Sequence, residues 1–288
     1  MCNNPLVSIC LPCFNGGKFI KQTIESILAQ TYSYFELIII DDCSLDDSIL
    51  LIKNYSDQRI RFFQNNSNVG LTANWIKCIR LAQGEYIKIV CQDDLLLPSI
   101  IEKQLNIFLN DQDDNFQLGM VSSHRFIINK ENKIVLKSNT RLSGLVEGKK
   151  ILIQSIRCGT NIIGEPHSVL IKRKCLDVDK ISNLKRPFMI DFMIYSIVLN
   201  KYNLFTLPQA LSAFRISGNS WSCRYWYYQS LEFILFTINV YKKNIIHLNL
   251  IDVLLGSVRA LMLQFIRKVF YIFVNNVFLK NGYLLLNF

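Results

Sequence analysis

Apolar residues in the first hundred positions fall in short unbroken runs that alternate with stretches of helical spacing. Leu6 to Leu11 is the first run, stopped by Pro12 and the turn Asn15-Gly16-Gly17. Phe19-Ile20, Ile24 and Ile27-Leu28 then recur on one helix face, to about Gln30. Phe35 to Ile40 is a second run and ends on Asp41-Asp42. Ser44 followed by Asp47 has the form of a capping box ahead of a helix over Ile49 to Tyr55. Ile60 to Phe63 is a shorter third run, the loop Asn65 to Gly70 follows, and Leu71 to Ala82 returns to helical period until Gly84. Tyr86 to Val90 is the fourth run, and it stops at Gln92-Asp93-Asp94.

This alternation predicts an α/β fold with a parallel sheet covered on both faces. Runs that are apolar throughout belong to strands buried on both sides. Ligands of such sheets sit beyond the carboxyl ends of the strands. Those ends carry Pro12 to Asn15, Asp41-Asp42, Asn65 to Gly70 and Gln92 to Asp94, so four polar clusters converge where a nucleotide would sit. Asp93 and Asp94 add chemistry to the position. Adjacent carboxylates raise each other's pKa, a cost that a divalent cation bridging to a phosphate would offset. The plainer alternative for the pair is a solvated turn before Pro98.

Beyond Pro98, Ile100-Ile101, Leu105 and Phe108-Leu109 predict a helix. Gly119 to Ser123 reads as a strand, Phe126 to Leu136 as a hairpin around Asn129 to Asn132, and Gly148 to Ile156 as a short helix. The loop Asn161 to His167 feeds a strand over Ser168 to Ile171. Met189 to Leu199 is an apolar helix interrupted by one carboxylate, Asp191, and Leu204 to Phe214 is extended chain around Pro208. From about Tyr225 the sequence is rich in Leu, Ile and Phe, with Lys242, Lys243, Arg259, Arg267 and Lys268 among them. Two or three amphipathic helices are expected there, packed on the core or lying on an anionic membrane surface.

Half of the 288 residues are hydrophobic and 19% are charged, which allows a sizeable core and excludes general disorder. The net charge of +10 points to an anionic partner. No zinc-finger spacing, basic helix or RNA-binding aromatic signature is present, so nucleic acid is not expected among the partners. Nine cysteines without framework spacing suit a reducing compartment. Cys10-Leu11-Pro12-Cys13 has the spacing of a redox motif but lies across a strand end without a second such pair. The first residues lack a basic segment and a long apolar one, so no signal peptide is expected, and no uninterrupted membrane span is seen.

Val7-Ser8-Ile9-Cys10-Leu11-Pro12-Cys13-Phe14-Asn15, then Gln30-Thr31-Tyr32, then Ile39 to Ser48, resemble family 2 glycosyltransferases. Asn68-Val69-Gly70 with Asn74, and Ala82 to Ile87 ahead of Asp93-Asp94, continue the likeness in order. It is strong over about residues 5–110, looser to about 222, and does not reach the C-terminal helices. The resemblance implies a GT-A fold, a Rossmann-like mixed sheet flanked by helices, over residues 1–222. Its nucleotide-binding half is about 5–110 and its acceptor half about 111–222, with an amphipathic helical region at 223–288. It implies an inverting hexosyl- or deoxyhexosyltransferase that uses a nucleotide-diphosphate sugar with Mg²⁺ or Mn²⁺.

By the same resemblance, Asp42 would accept the N3 hydrogen of a pyrimidine base, while Pro12 and Phe14 line the base and ribose. Asn15, Asn68, Gly70 and Asn74 join the nucleotide-sugar site, Asp93 sits against the ribose or sugar, and Asp94 holds the metal on the diphosphate. An inverting transfer needs a general base for the acceptor hydroxyl, and Asp191 matches that position, with Asp177 and Asp179 as fallback. Apolar neighbours of Asp191 would raise its pKa by desolvation. Gly164-Glu165-Pro166-His167-Ser168 resembles an acceptor-side loop, in which Glu165 takes a sugar hydroxyl or closes a turn and His167 lies nearby. Leu211 to Trp221 resembles a segment written Arg-x-His, in which Arg215 would contact the diphosphate and Ser217 replaces the histidine. The expected acceptor is a lipid-linked or surface oligosaccharide of O-antigen or capsule type, met in the cytoplasm at the inner face of the cell membrane. A nucleotidyltransferase and a non-catalytic GT-A-like scaffold are the alternatives; the first lacks its glycine-rich basic phosphate loop.

Overall fold

The structure, a computed structural model, describes residues 4–111, 114–138, 142–182, 187–217 and 226–276. The N-terminal half runs β1 (Val7–Cys13), α1 (Ile20–Leu28), β2 (Phe35–Asp41), α2 (Ser48–Lys53), β3 (Ile60–Gln64), α3 (Leu71–Leu81) and β4 (Tyr86–Ile89). After it come β5 (Leu95–Leu96), α4 (Ile100–Asn110), β6 (Leu118–Ile128), β7 (Ile134–Lys137), β8 (Gly144–Val146) and α5 (Gly148–Cys158). The remainder is β9 (Val169–Lys172), α6 (Val178–Ser182), α7 (Ile190–Leu199), β10 (Asn203–Arg215), α8 (Trp226–Lys242) and α9 (Leu250–Asn276).

One mixed sheet has the order β3-β2-β1-β4-β9-β6-β10-β5, with β7 beside β6 and β8 beside β10. The first four strands are parallel, as their unbroken apolar runs require. Successive residues of each strand serve opposite cores. Val7, Ile9, Leu11, Leu37 and Ile39 pack under α1 and α4, whereas Cys10, Ile38 and Ile40 face α3, α5, α7 and α8. Each such fully buried Ile or Leu contributes about 1.5–3 kcal/mol. Pro12 fits within β1 because the β4 ladder has already ended at Cys10, so no partner on that side needs its missing N–H.

Four local expectations change. Ser44 does not cap α2: Asp47 holds the cap position without a side-chain bond, and Ser44 Oγ instead donates to Asp41 and accepts from Asn15 N. The strand from Gly119 and the first arm of the hairpin are one strand, β6, running on through the polar pair His124-Arg125. Pro208 lies inside β10, where a register shift between Leu207 and Ala210 accommodates it. The C-terminal region, where two or three helices were expected, shows α8 and α9 among its described residues, and they pack back onto the domain. Gly159, at φ 71°, ends α5 against the backbone of Gly256 and Ala260. Gly256 lies so close to Ile156 O that a Cβ there would stand 2.2 Å from it. Arg157 pairs with Asp252 at 2.6 Å across the same contact. No helix of the described residues is long and apolar enough to cross a membrane.

Candidate active site

The carboxyl ends of β1, β2 and β4 open into a cavity of about 690 Å³. Pro12, Phe14, Asn15, Asp42, Asn68, Gly70, Asn74, Asp93 and Asp94 all line it, so every position expected around the nucleotide and metal is brought together. Local bonding explains how. Gln92, just past β4, accepts from Phe14 N at 2.7 Å and donates to Phe14 O at 2.9 Å, fastening the two strand ends to each other. Asp42 is buried and accepts from Asn65 Nδ2 at 2.8 Å, Val69 N at 2.9 Å and Gly70 N at 2.9 Å. A carboxylate has about four acceptor sites, so one of them remains for a ligand N–H. Gly70, at φ 86°, takes a backbone form that a side chain would strain, and Asn68 Oδ1 braces it. Asn74 spends its amide inward on Ile40 O and Asn65, and Asn15 Oδ1 takes Leu45 N.

Asp93 and Asp94 differ in their surroundings. Both oxygens of Asp94 have protein donors: Arg215 N at 3.0 Å and His167 Nδ1 at 2.8 Å. Burial first, and then the neighbouring Asp94, push Asp93 up to about 7, against the opposing pull of Arg215. A cation on the pair would relieve that cost. No group of three or more Asp, Glu, His or Cys able to hold a metal occurs among the described residues. The pair therefore fits a hard cation shared with ligand phosphate oxygens, not a closed protein cage. Ser217, in the place expected for a histidine, lines the same cavity. Gly218 to Trp221, the end of that segment, lie outside the described residues.

Two expectations about cations and histidine are corrected. Arg215, expected as a diphosphate contact, lines neither this cavity nor the next. Its guanidinium is fully buried and donates to Asp93 O, Asn129 O, Asn132 Oδ1 and Gln22 Oε1, while stacking 4.4 Å from the Phe19 ring centre. It is a strut behind the carboxylates. His167 likewise lines neither this cavity nor the next; it is fully buried, and its ring meets Asp94 beside the Phe214 ring. Lys88, fully buried in β4, holds the turn that carries it by donating to His167 O and Val169 O. The lysines that do line the cavity are Lys18 and Lys130.

A second cavity of about 420 Å³ adjoins the first through Leu71, Trp75, Cys91, Asp94 and Phe214, which line both. Asp191, in the first turn of α7, opens into it. Burial raises Asp191 to about 6, although the Phe192 amide and Asn161 Nδ2, at 3.0 Å, favour its charge. Glu165 also lines this cavity, with its carboxylate on the half-buried Arg125 and its carbonyl closing the turn to Ser168. Asp177 and Asp179 are elsewhere, in a separate hollow with Lys180. The outer wall comes from the last two helices: Gln229, Ser230 and Phe233 of α8, and Arg267, Phe270 and Tyr271 of α9.

Sequence reasoning missed Lys130, Trp75 and Arg267 as lining residues, and it placed Gln92 at the site without its role as a fastener. The reciprocal bonds of Gln92 had no local signal. Lys130 arrives on a hairpin tip, and Arg267 from a helix far along the chain. Trp75 is signalled only by its place one residue after Asn74; its buried Nε1 has no partner among the described residues.

Residues 8–176 match the sequence model described as Glycosyl transferase family 2. An uncharacterised glycosyltransferase of Rickettsia typhi is 32% identical over 53% of this chain and 51% of its own length. The chain thus spans about half the length of that relative. A putative teichuronic acid biosynthesis glycosyltransferase of Bacillus subtilis is 26% identical over 77% of this chain and 83% of its own length. Among solved structures, residues 1–349 of Staphylococcus aureus TarS in complex with UDP-GlcNAc superpose with a TM-score of 0.60, at 16% identity over 81% of this chain and 66% of that one. A mannosyltransferase of Pyrobaculum calidifontis in complex with GDP-Man and Mn²⁺ gives 0.57, at 14% identity over 94% and 74%. At these identities the likeness is one of fold, and that fold is GT-A.

Proposed function

The chain belongs to glycosyl transferase family 2, and from that premise we propose an inverting transfer of a sugar from UDP or dTDP to a hydroxyl of a lipid-linked or surface-polysaccharide acceptor. One observation carries the reading: two cavities meet at Asp94, one lined by nucleotide-suited groups and the other by a half-buried carboxylate of raised pKa. The base lies against Pro12 and Phe14 and gives its N3 hydrogen to the remaining acceptor site of Asp42. Asp94 would hold Mg²⁺ or Mn²⁺, which when bound stabilises charge on the departing diphosphate, and Asp93 would sit against the ribose or sugar. Lys18 and Lys130 add positive charge on the donor side.

Asp191 takes the proton from the acceptor hydroxyl as its oxygen bonds to the anomeric carbon. The bond from that carbon to the phosphate oxygen breaks, and the electron pair leaves with the nucleoside diphosphate. A base with a pKa of about 6 is ionised at neutral pH and still basic enough to receive the proton. UDP-GlcNAc in the TarS complex and Mn²⁺ in the mannosyltransferase complex support the donor and cation classes, and the Bacillus subtilis relative supports a polysaccharide acceptor.

Contact with the inner face of the cell membrane fits the same reading. On α9 the exposed residues Ile251, Leu254, Val258, Met262, Phe265, Ile266 and Val269 share one arc at 100° per residue. Arg259 and Lys268 fall on its opposite margins, a pattern suited to anionic lipid. The test of the proposed function is release of nucleoside diphosphate from a panel of nucleotide sugars with and without Mn²⁺. Cation-dependent release that Asp94→Asn lowers at least about a hundredfold is expected; cation-independent release, or an unaffected variant, removes the assignment.

A further inference from the structure

Three arginines stand around the two cavities, and their partners differ. Arg215 is consumed by carbonyl and amide oxygens behind Asp93 and Asp94. Arg125 is paired with Glu165. Arg267 lines the second cavity and bonds only neutral oxygens among the described residues, Thr160 Oγ1 at 2.5 Å and Gln229 Oε1 at 3.4 Å. The acids that share its cavity are engaged elsewhere: Asp94 by His167 and Arg215, Glu165 by Arg125, and Asp191 by Asn161. A guanidinium has five N–H donors, and two neutral contacts leave most of them unused.

Position adds to this. At 100° per residue Arg267 lies opposite the exposed apolar arc of α9, so the helix turns a cation to the cavity and an oily face outward. The helix is fixed in that orientation by the backbone contact of Gly159 and Gly256 and by the Arg157–Asp252 pair. Phe188, Phe233, Phe270 and Trp75 line the same cavity as Arg267 and Asp191, a surface suited to a sugar ring. Burial lowers the Arg267 pKa, against the opposing pull of Tyr271.

We propose that Arg267 is the binding residue for a phosphate or diphosphate group of the acceptor, placing that group at the α9 wall while the accepting hydroxyl lies at Asp191. The assignment rests on the transferase reading for its orientation, though not for the anion site itself. A guanidinium suits a phosphate because its planar fork matches two oxygens at once. An acceptor so held would run its sugar over the aromatic lining of the cavity.

The test is binding of geranyl diphosphate, geraniol and inorganic pyrophosphate to the full chain in EDTA, read by tryptophan fluorescence. The unmutated chain is expected to prefer geranyl diphosphate to geraniol. Arg267→Gln is expected to weaken geranyl diphosphate by about tenfold or more, the loss of a charge-assisted contact, and to leave geraniol unchanged. Arg267→Lys, which keeps charge without the fork, is expected to weaken it a few-fold, and it decides the question if the Gln variant melts early. Pyrophosphate that binds as tightly as geranyl diphosphate assigns the site to a free or sugar-borne phosphate; weaker binding assigns it to a lipid-borne one. Equal affinity of the variants and the unmutated chain for geranyl diphosphate, or no preference over geraniol, overturns the proposal. Failure of the transferase reading appears separately, as loss of nucleotide-sugar binding in the donor cavity.

Discussion

Replacing Asp191 by Asn should remove activity and add stability, and the added stability should depend on pH. The carboxyl rises from its ordinary 3.8 to about 6 because burial penalises its charge more than Asn161 and the Phe192 amide reward it. Two units correspond to about 3 kcal/mol. Because Asp191 opens into the second cavity and keeps some solvent, this is an upper figure. The sign follows from proton counts: between pH 3.8 and about 6 the folded chain binds more protons at this group than the unfolded chain. Stability therefore falls as pH rises through that window, and only in the chain that has the carboxyl. Urea unfolding of both chains from pH 4 to 8 reads it. The Asn variant should gain up to about 3 kcal/mol on the unmutated chain above pH 6, with the gain shrinking toward pH 4. The turnover of the unmutated chain should rise with pH through about 6, and the variant should lose about 10²- to 10⁴-fold. A stability difference independent of pH, or a loss of stability in the variant near neutrality, would refute the reasoning.

Two further outcomes follow from the C-terminal helices. Gly256→Ala places a Cβ about 2.2 Å from Ile156 O and should cost at least about 2 kcal/mol of stability by forcing α9 away, with loss of acceptor-dependent turnover exceeding loss of donor hydrolysis. Replacing Leu254, Val258 and Phe265 by Ser should abolish cosedimentation with phosphatidylglycerol vesicles while leaving nucleotide binding intact, since all three are at least half exposed; vesicle binding that survives the triple change rules out this face.

The parallel half of the sheet was legible because its strands are buried on both faces and so are written as uninterrupted apolar runs. Their polar ends were equally legible, and Pro12, Phe14, Asn15, Asp42, Asn68, Gly70, Asp93 and Asp94 from them line one cavity. What escaped was set by partners distant in sequence. Ser44 looked like a cap, but Asp41 and Asn15 reach it first. Arg215 was read as a diphosphate contact, yet Gln22, Asn129 and Asn132 enclose it from α1 and the hairpin. The cations that do line the donor cavity, Lys18 and Lys130, carry no pattern that distinguishes them from any surface lysine. His167 was read near the acceptor side, but it is buried outside both cavities and meets Asp94 from behind. The C-terminal helices showed amphipathicity without direction, because a helix with a cavity on one side and an oily face on the other has no conventional polar stripe.

The central claim, a pyrimidine nucleotide sugar held at the strand ends with its base on Asp42, is tested most directly by calorimetric titration of UDP- and dTDP-sugars in the presence of Mn²⁺. Saturable binding that falls about tenfold or more in Asp42→Ala, through loss of a hydrogen bond to a charged acceptor, is the predicted result. Absence of binding by every pyrimidine nucleotide sugar, or binding that does not change in Asp42→Ala, would contradict it.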